Sequence, residues 1–445
     1  MCLIKSILSN IASEIPATKL DVLSQISKSI LSSSNKITML EISRYTKVVY
    51  RTVQRFFETE NIPWAKLNFS LFHQFVPRKD SVFLLAGDEV IEKKAGKHTF
   101  GVAHFFSNLH KKVVASVAFM TLSIVDVEKR KSYPIATKQV IKPAKEKEAK
   151  TNPKKKKKKK EKRPKGRPKG SKNKAKKTSQ DVQYIVLDTL LKSVITLFAT
   201  YPEMVSCTYL TLDGYFGNQY YMRLAKKYEV ELISKLKCTA ALFLPFSGKR
   251  KKQGRTPKYG DKINVKNLSA KYHKSTKIEN KFKYDFYQMN LWSKSYTDQM
   301  LNVVVIICQN IRTGKIGHCI LFSTDLSLDY DKIVEYYGLR FQIEFNFRDA
   351  KQYFGLADFK NYKEVQVTNA MNLAFFMCNL SYILIENFKE QFSLDTVSIL
   401  DLKAYYRTEY IANAAVNLKT KAKKALQFLN PNQIFSIAKN QAVNF

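Results

Sequence analysis

The chain has 445 residues, enough for two to four domains at roughly 100–200 residues each. Hydrophobic residues make up 45% and charged residues 25%, which excludes a wholly disordered chain and lets most of it bury a core. Lys and Arg number 76 against 37 Asp and Glu, and the resulting +39 calls for a polyanionic partner, either nucleic acid or an anionic membrane. No run reaches about 18 uninterrupted apolar residues, so a membrane span is not expected. The most apolar helical stretch, 371–385, carries Asn372 and Asn379 and reads as a buried helix. The first residues lack the apolar core of a signal peptide. The six cysteines are scattered without a C-x-x-C pair. That argues against a disulfide scaffold or a zinc cluster and fits a reducing cytoplasm.

Residues 1–78 read as a helical DNA-binding domain. Residues 38–57 have the rhythm of a helix-turn-helix: Leu40 and Ile42 in a first helix, a turn at 45–47, and Val49, Val53 and Phe56 or Phe57 on the inner face of a second. Tyr50, Arg51, Gln54 and Arg55 would then face outward, as a recognition helix requires. A plain helical hairpin packed on the core would show the same pattern.

Residues 79–137 form the first part of a catalytic core. The run 81–88 is apolar on both alternating faces, which suits a central strand covered on both sides. Two more strands are expected at 99–106 and 113–125. A basic segment follows at 138–180. Between Lys138 and Lys177 there are 21 Lys or Arg and three acids, a net +18, including an unbroken run from Lys154 to Lys160. With almost no apolar residues it cannot offset the entropy of folding and is expected to be disordered. Inside it, Arg163, Lys165, Arg167 and Lys169 flank Gly-Arg-Pro, which resembles the core of an AT-hook. Such a segment either lays its arginines in a narrow A·T minor groove or grips phosphates without preference.

Residues 181–246 complete the core, with helices at 181–201 and 218–228 and strands at 205–213, 230–237 and 239–246. Residues 247–328 are basic and β-rich. A long helix is expected at 330–354, within a catalytic-helix segment at 329–360, and a helical region at 361–445 closes the chain. The order suits an α/β, RNase H-like core with a β-rich insertion, an N-terminal helical domain and C-terminal helices.

Asp88 and Asp213 each close an apolar strand. A carboxylate continuing an inward-facing apolar row is costly unless it is paired or binds metal. The helix offers the third candidate. At about 100° per residue, Tyr337, Arg340, Glu344, Arg348 and Lys351 fall within an arc of about 80°. One carboxylate among cations on one stripe is either salt-bridge support or part of a site with Asp88 and Asp213. Three carboxylates can bind two Mg²⁺ or Mn²⁺ ions, which activate a nucleophile and stabilise the leaving oxygen of a phosphoryl displacement. His73, His98, His104, His110, His273 and His318 show no metal-ligand spacing. Asp126, Asp188, Asp325 and Asp329 read as caps or surface charges. Glu89 alternates to the opposite face from Asp88.

At these residues the chain resembles the DDE transposases of bacterial insertion sequences. It is most similar to the insertion-sequence-four group, with its Tyr-x2-Arg-x3-Glu-x6-Lys signature at Tyr337, Arg340, Glu344 and Lys351. The resemblance spans roughly residues 80–360. It implies an RNase H-like domain with a β-rich insertion, and Asp88, Asp213 and Glu344 as ligands of two Mg²⁺ (or Mn²⁺) ions. It implies contact of Tyr337, Arg340 and Lys351 with double-stranded DNA near the cleaved end; Arg348 joins them on the stripe. It also implies hydrolysis at transposon ends, strand transfer by the freed 3′-hydroxyl to target DNA, and a homodimer or higher synaptic complex acting at the bacterial nucleoid. Some members flip a base onto a Trp in the insertion; Trp292 lies there, and a core Trp is the plainer reading. The long lysine-rich segment departs from the family pattern. Two other classes remain open: a DNA-binding or domesticated relative without catalysis, and a structure-specific nuclease on the same core.

Overall fold

The computed structural model describes residues 3–76, 81–96, 98–107, 111–143, 181–201, 207–248, 254 and 257–426. The basic segment's Arg163, Lys165, Arg167 and Lys169 lie outside the described residues. Five helices open the chain: α1 (Leu3–Ser9), α2 (Ala17–Ser32), α3 (Met39–Arg44), α4 (Tyr50–Phe57) and α5 (Trp64–Phe75). Four strands follow: β1 (Phe83–Lys93), β2 (Ala103–Ser107), β3 (Lys112–Asp126) and β4 (Lys131–Val140). Next come α6 (Val182–Thr200), β5 (Tyr209–Leu212), α7 (Gln219–Lys227) and β6 (Glu231–Leu236). The basic region holds β7 (Leu242–Pro245), β8 (Tyr259–Lys262), β9 (His273–Glu279), β10 (Phe282–Ser293), β11 (Tyr296–Asn310) and β12 (Ile316–Ser323). The chain continues through α8 (Tyr330–Leu339), α9 (Gln342–Tyr353), α10 (Glu364–Phe392) and α11 (Ile399–Leu426).

All twelve strands join one mixed sheet, ordered β2-β3-β1-β5-β6-β12-β11-β10-β7-β8, with β4 also on β3 and β9 also on β10. β1, β5 and β6 are parallel; β3 and β12 run antiparallel to their neighbours on either side. The basic β-rich region therefore extends the central sheet edge to edge through the β6–β12 pairing. Gly87 leaves room for the Leu212 side chain to pack across β1, since a Cβ there would lie 2.7 Å from Leu212 Cδ2.

Helices cover both faces. One face packs Leu84 and Ala86 of β1, Ile233, Val304 and Leu321 under Ile333, Tyr336 and Leu339 of α8. The other packs the remaining apolar rows against α5, α6 and α10. The N-terminal helices share this larger core. Trp64 Nε1 donates to Asn369 Oδ1 (2.9 Å), and the Asn369 amide donates to the carbonyls of Phe57 and Thr59. Lys403 of α11 donates to the Ile30 carbonyl at 2.8 Å. Both α6 and α10 are long and apolar enough to cross a membrane, but 94% of the most apolar window of α10 is buried within the protein. The expected buried helix at 371–385 is the middle of α10.

Three expectations need correction. β1 does not end at Asp88 but runs on to Lys93, because β3 keeps pairing with it through Lys93↔Ser116 after β5 has stopped. β4 reaches Val140, past the boundary placed at 137, since Lys138, Gln139 and Val140 pair with Met120, Phe119 and Ala118. The helix expected at 330–354 is two helices. Between them Arg340, Phe341, Ile343 and Glu344 donate to carbonyls three residues back instead of four, which tightens the turn and re-aims α9.

Candidate active site

The strand register builds the site. Ala86 pairs with Thr211 and Gly87 with Leu212, so the next step puts Asp88 beside Asp213. On the face covered by α8, the same rung continues through Lys235 of β6, Leu321 of β12, Val304 of β11 and Gln288 of β10. β5 stops at Leu212 and β6 at Leu236, while β1 on one side and β10–β12 on the other run five or six residues further. The sheet edge is therefore notched, and both aspartates sit at the floor of the notch.

Local structure fixes Asp213. It precedes a single turn of 3-10 helix, and its carbonyl accepts from Phe216 N–H (2.9 Å) and Ser234 Oγ (3.0 Å). Gly217 closes that turn against β6; a Cβ there would fall 2.2 Å from the Lys235 carbonyl oxygen. Only glycine allows this loop to lie so close to the neighbouring strand.

Arg340 ties the third carboxylate to the first. Its Nη1 lies 2.5 Å from Asp88 Oδ2, and its Nη2 lies 3.5 Å from Glu344 Oε1. The guanidinium is 12% exposed, Asp88 20% and Glu344 42%. Burial raises the Asp88 carboxyl above its ordinary range; Arg340 and the Glu89 amide hold it back, while Asp213 and Glu344 push it further up. Burial works against the Arg340 charge, yet Asp88, Asp213 and Glu344 together raise its proton affinity. Tyr337 completes the group, with its hydroxyl pushed up to about 12 by burial and by the Asp213 charge.

The remaining stripe residues diverge. Lys351 reaches back to β1, donating to the Ile91 carbonyl (3.0 Å) and pairing with Glu92 (3.1 Å). Seven residues of α9 advance about 10 Å and four of β1 about 13 Å, so α9 lies along β1 with Glu344 near Asp88 and Lys351 near Glu92. Arg348 turns away, pairs with Asp349 and stacks over Phe345 at 4.8 Å.

Other candidates lie elsewhere. Trp292 is on β10, half-buried, with Lys258 Nζ 3.6 Å from its ring centroid. It is five strands from β1 and four residues below the rung of Asp88, roughly 24 Å across the sheet and 13 Å along it. The structure does not bring it to the carboxylates. Arg51 and Arg55 are exposed on α4, while Val53, Phe56 and Phe57 are buried as expected. Val49, expected on the inner face, is 68% exposed because it caps the helix. Glu89 turns to the other face, toward Gln183. Asp126 holds a turn through Lys129 N–H, Asp188 pairs with Lys227, and Asp325 accepts from Tyr209 and Ser327. Lys235 is the site residue that sequence reading missed. It sits beside Asp213 on the same rung, and only the strand register shows this.

The donor types suit a hard divalent cation, since all three are carboxylates. Among the described residues no three such groups are already gathered around one point, because the Arg340 guanidinium stands between Asp88 and Glu344.

An α/β sheet with two aspartates abreast on parallel strands and a glutamate on a following helix offers the carboxylate set that metal-assisted phosphodiester chemistry requires. The family model described as DDE superfamily endonuclease matches residues 13–295, and the chain belongs to that family. The matched stretch takes in Asp88 and Asp213 and ends before Glu344. No curated protein is similar enough to be matched to the chain.

Proposed function

We propose that the protein is a DNA transposase of the insertion-sequence-four type, which cuts DNA at transposon ends and joins the freed 3′-hydroxyl to target DNA. One observation carries the reading: Asp88 and Asp213 stand side by side at the notch floor, with Glu344 coupled to them through Arg340. The strand order β4-β3-β1-β5-β6 supports an RNase H-like core, in which a three-strand meander is followed by two parallel strands. The family acts on DNA, which accounts for the +39.

Asp88, Asp213 and Glu344 would hold the divalent ions, two Mg²⁺ or Mn²⁺. When bound, these supply an activated nucleophile and a counter-charge for the leaving oxygen. Arg340 now neutralises Asp88 and Glu344. With those carboxylates committed to metal, its guanidinium is left beside the notch with a DNA phosphate as its natural anion. Tyr337 and Lys235 flank the same floor and would orient that phosphate. Lys351 holds α9 onto β1, and Arg348, exposed beside it and paired with Asp349, would meet the DNA backbone. The basic segment leaves the sheet after Val140 and returns at Asp181, whose carboxylate accepts from Tyr215 two residues past Asp213. Its return end is thus anchored at the site's rim, and we assign the segment to DNA affinity. The DNA contacts of Arg51 and Arg55, assembly as a homodimer or larger synaptic complex, and action at the nucleoid belong to the same proposal.

Asp88→Asn, Asp213→Asn and Glu344→Gln should each reduce cleavage of a DNA duplex to background while leaving DNA binding intact. Full cleavage by any one of them would remove that residue from the site. A joined product with a 3′-hydroxyl donor separates a transposase from a structure-specific nuclease on the same fold.

A further inference from the structure

We infer that the overhanging end of β9–β12 is a ledge for duplex DNA. This deepens the reading of the notch as a DNA-cutting site. β10, β11 and β12 continue five or six residues beyond the rung of Asp88 and Asp213, an overhang of about 17–20 Å. That length matches five or six base pairs at about 3.4 Å each.

The overhang is strongly basic. Residues 271–285 and 309–318 carry seven Lys or Arg against two acids, a net +5. The charge is also sorted by face. Cross-strand partners share a face, so Lys277, Tyr284, Cys308 and Gly317 lie on the side that carries Asp88, Asp213 and Lys235. Packing agrees: Lys277 sits over the Phe286 ring, which meets Tyr330 at the start of α8 on that same side. The opposite face holds the ion pair of Lys283 with Asp285, which His273 and Thr276 also approach, so its charge is largely spent internally. At the tip, Lys281, Arg312 and Lys315 stand in two adjoining turns joined by the bond from Ile311 N–H to the Lys281 carbonyl. All three are exposed, as is Lys277. The four cations gather on the outer part of the overhang, with Lys277 on β9 about 13 Å above the rung and the other three at the tip about 20 Å above it, where they fit the phosphates of a duplex that extends from the notch across β12 to β9.

The test uses the full chain and a random-sequence duplex of about 30 base pairs, with binding followed by fluorescence anisotropy over a range of salt. Replacing Lys277, Lys281, Arg312 and Lys315 together by Gln should lower the slope of log K against log salt by up to about 3.6, at about 0.9 per neutralised phosphate. Affinity at moderate salt should fall at least about tenfold. The double variant Arg312→Gln/Lys315→Gln, confined to one exposed turn, should lose about half of that slope and guards against a folding defect. Lys283→Gln on the other face should leave the slope unchanged. Slopes equal to that of the unaltered chain would overturn the ledge, and an equal loss from Lys283→Gln would overturn its assignment to one face. Repeating the titration with Asp88→Asn separates the two readings. A persisting slope deficit there supports the ledge whether or not the notch proves to cut DNA.

Discussion

Removing Arg340 should destabilise the metal-free protein, and the size of the loss follows from its surroundings. Its guanidinium is 12% exposed and bonds an Asp88 carboxylate that is 20% exposed. Breaking a fully buried ion pair by deleting one partner costs about 3–5 kcal/mol. Asp88 keeps some solvent and the bond from Glu89 N–H (2.7 Å), so Arg340→Ala should cost less, about 2 kcal/mol near neutral pH. The loss should shrink in acid. Without Arg340 the Asp88 carboxyl, already raised by burial, holds its proton more tightly folded than unfolded, so stability recovers as pH falls through its folded value. Divalent metal should also restore the variant, since a ligand at about 100 times its Kd adds about 2.7 kcal/mol. The variant should gain more from metal than the unaltered protein, which must first give up the Arg340 pairing. Urea unfolding with a chelator or with Mg²⁺, at about pH 5 and pH 8, measures all three effects. Lys351→Ala is the control, because its more open pair should cost no more than about 1 kcal/mol. A loss at Arg340 no larger than this control, or one indifferent to both pH and metal, would refute the reasoning.

Other outcomes follow from the same geometry. Gly217→Ala drives a Cβ into the Lys235 carbonyl, so it should cost about 1–3 kcal/mol and reduce cleavage more than DNA binding, as measured by melting and by a cleavage assay. Deleting residues 144–180 should flatten the salt dependence of DNA binding by about 0.9 for each phosphate the segment neutralises, and an unchanged slope would show that it does not touch DNA. Burial lowers Lys94, Lys131 and Lys403 to about 8. The unfolded chain therefore binds more protons above that value, and urea stability should rise with pH from about 8 to about 10. Lys403→Met should remove part of that rise.

Local pattern alone identified the two strand-borne aspartates and the helix bearing Glu344. It could do so because apolar alternation and helical periodicity are properties of neighbouring residues. The same logic found the buried α10, and it set Glu89 apart from Asp88 by strand alternation alone. It failed where a partner far along the chain decides. β1 continues past Asp88 because β3 still pairs with it, and nothing in residues 88–93 announces that. Lys138–Val140 looked like the start of the basic segment, yet their pairing with β3 makes them strand. The helical arithmetic that placed five residues on one stripe assumed uniform turns. The tightened turn at 340–344 sends Arg340 into the carboxylates, while α9 carries Lys351 to Glu92 and leaves Arg348 outside.

The sequence by itself thus determined the chemistry on offer: which carboxylates, on which elements, amid how much positive charge. Which of them meet was left to the tertiary structure. The register of β1 against β5 sets Asp88 beside Asp213, and the β6 register brings Lys235 to the same rung. The extension of the sheet through β12 to β10 puts Trp292 below the rung of the carboxylates and the basic overhang above that rung, both on the outer strands. Strand order and register are non-local, since they depend on residues up to hundreds of positions apart pairing at one step rather than the next. A shift of one residue would turn Asp88 to the opposite face and dissolve the site.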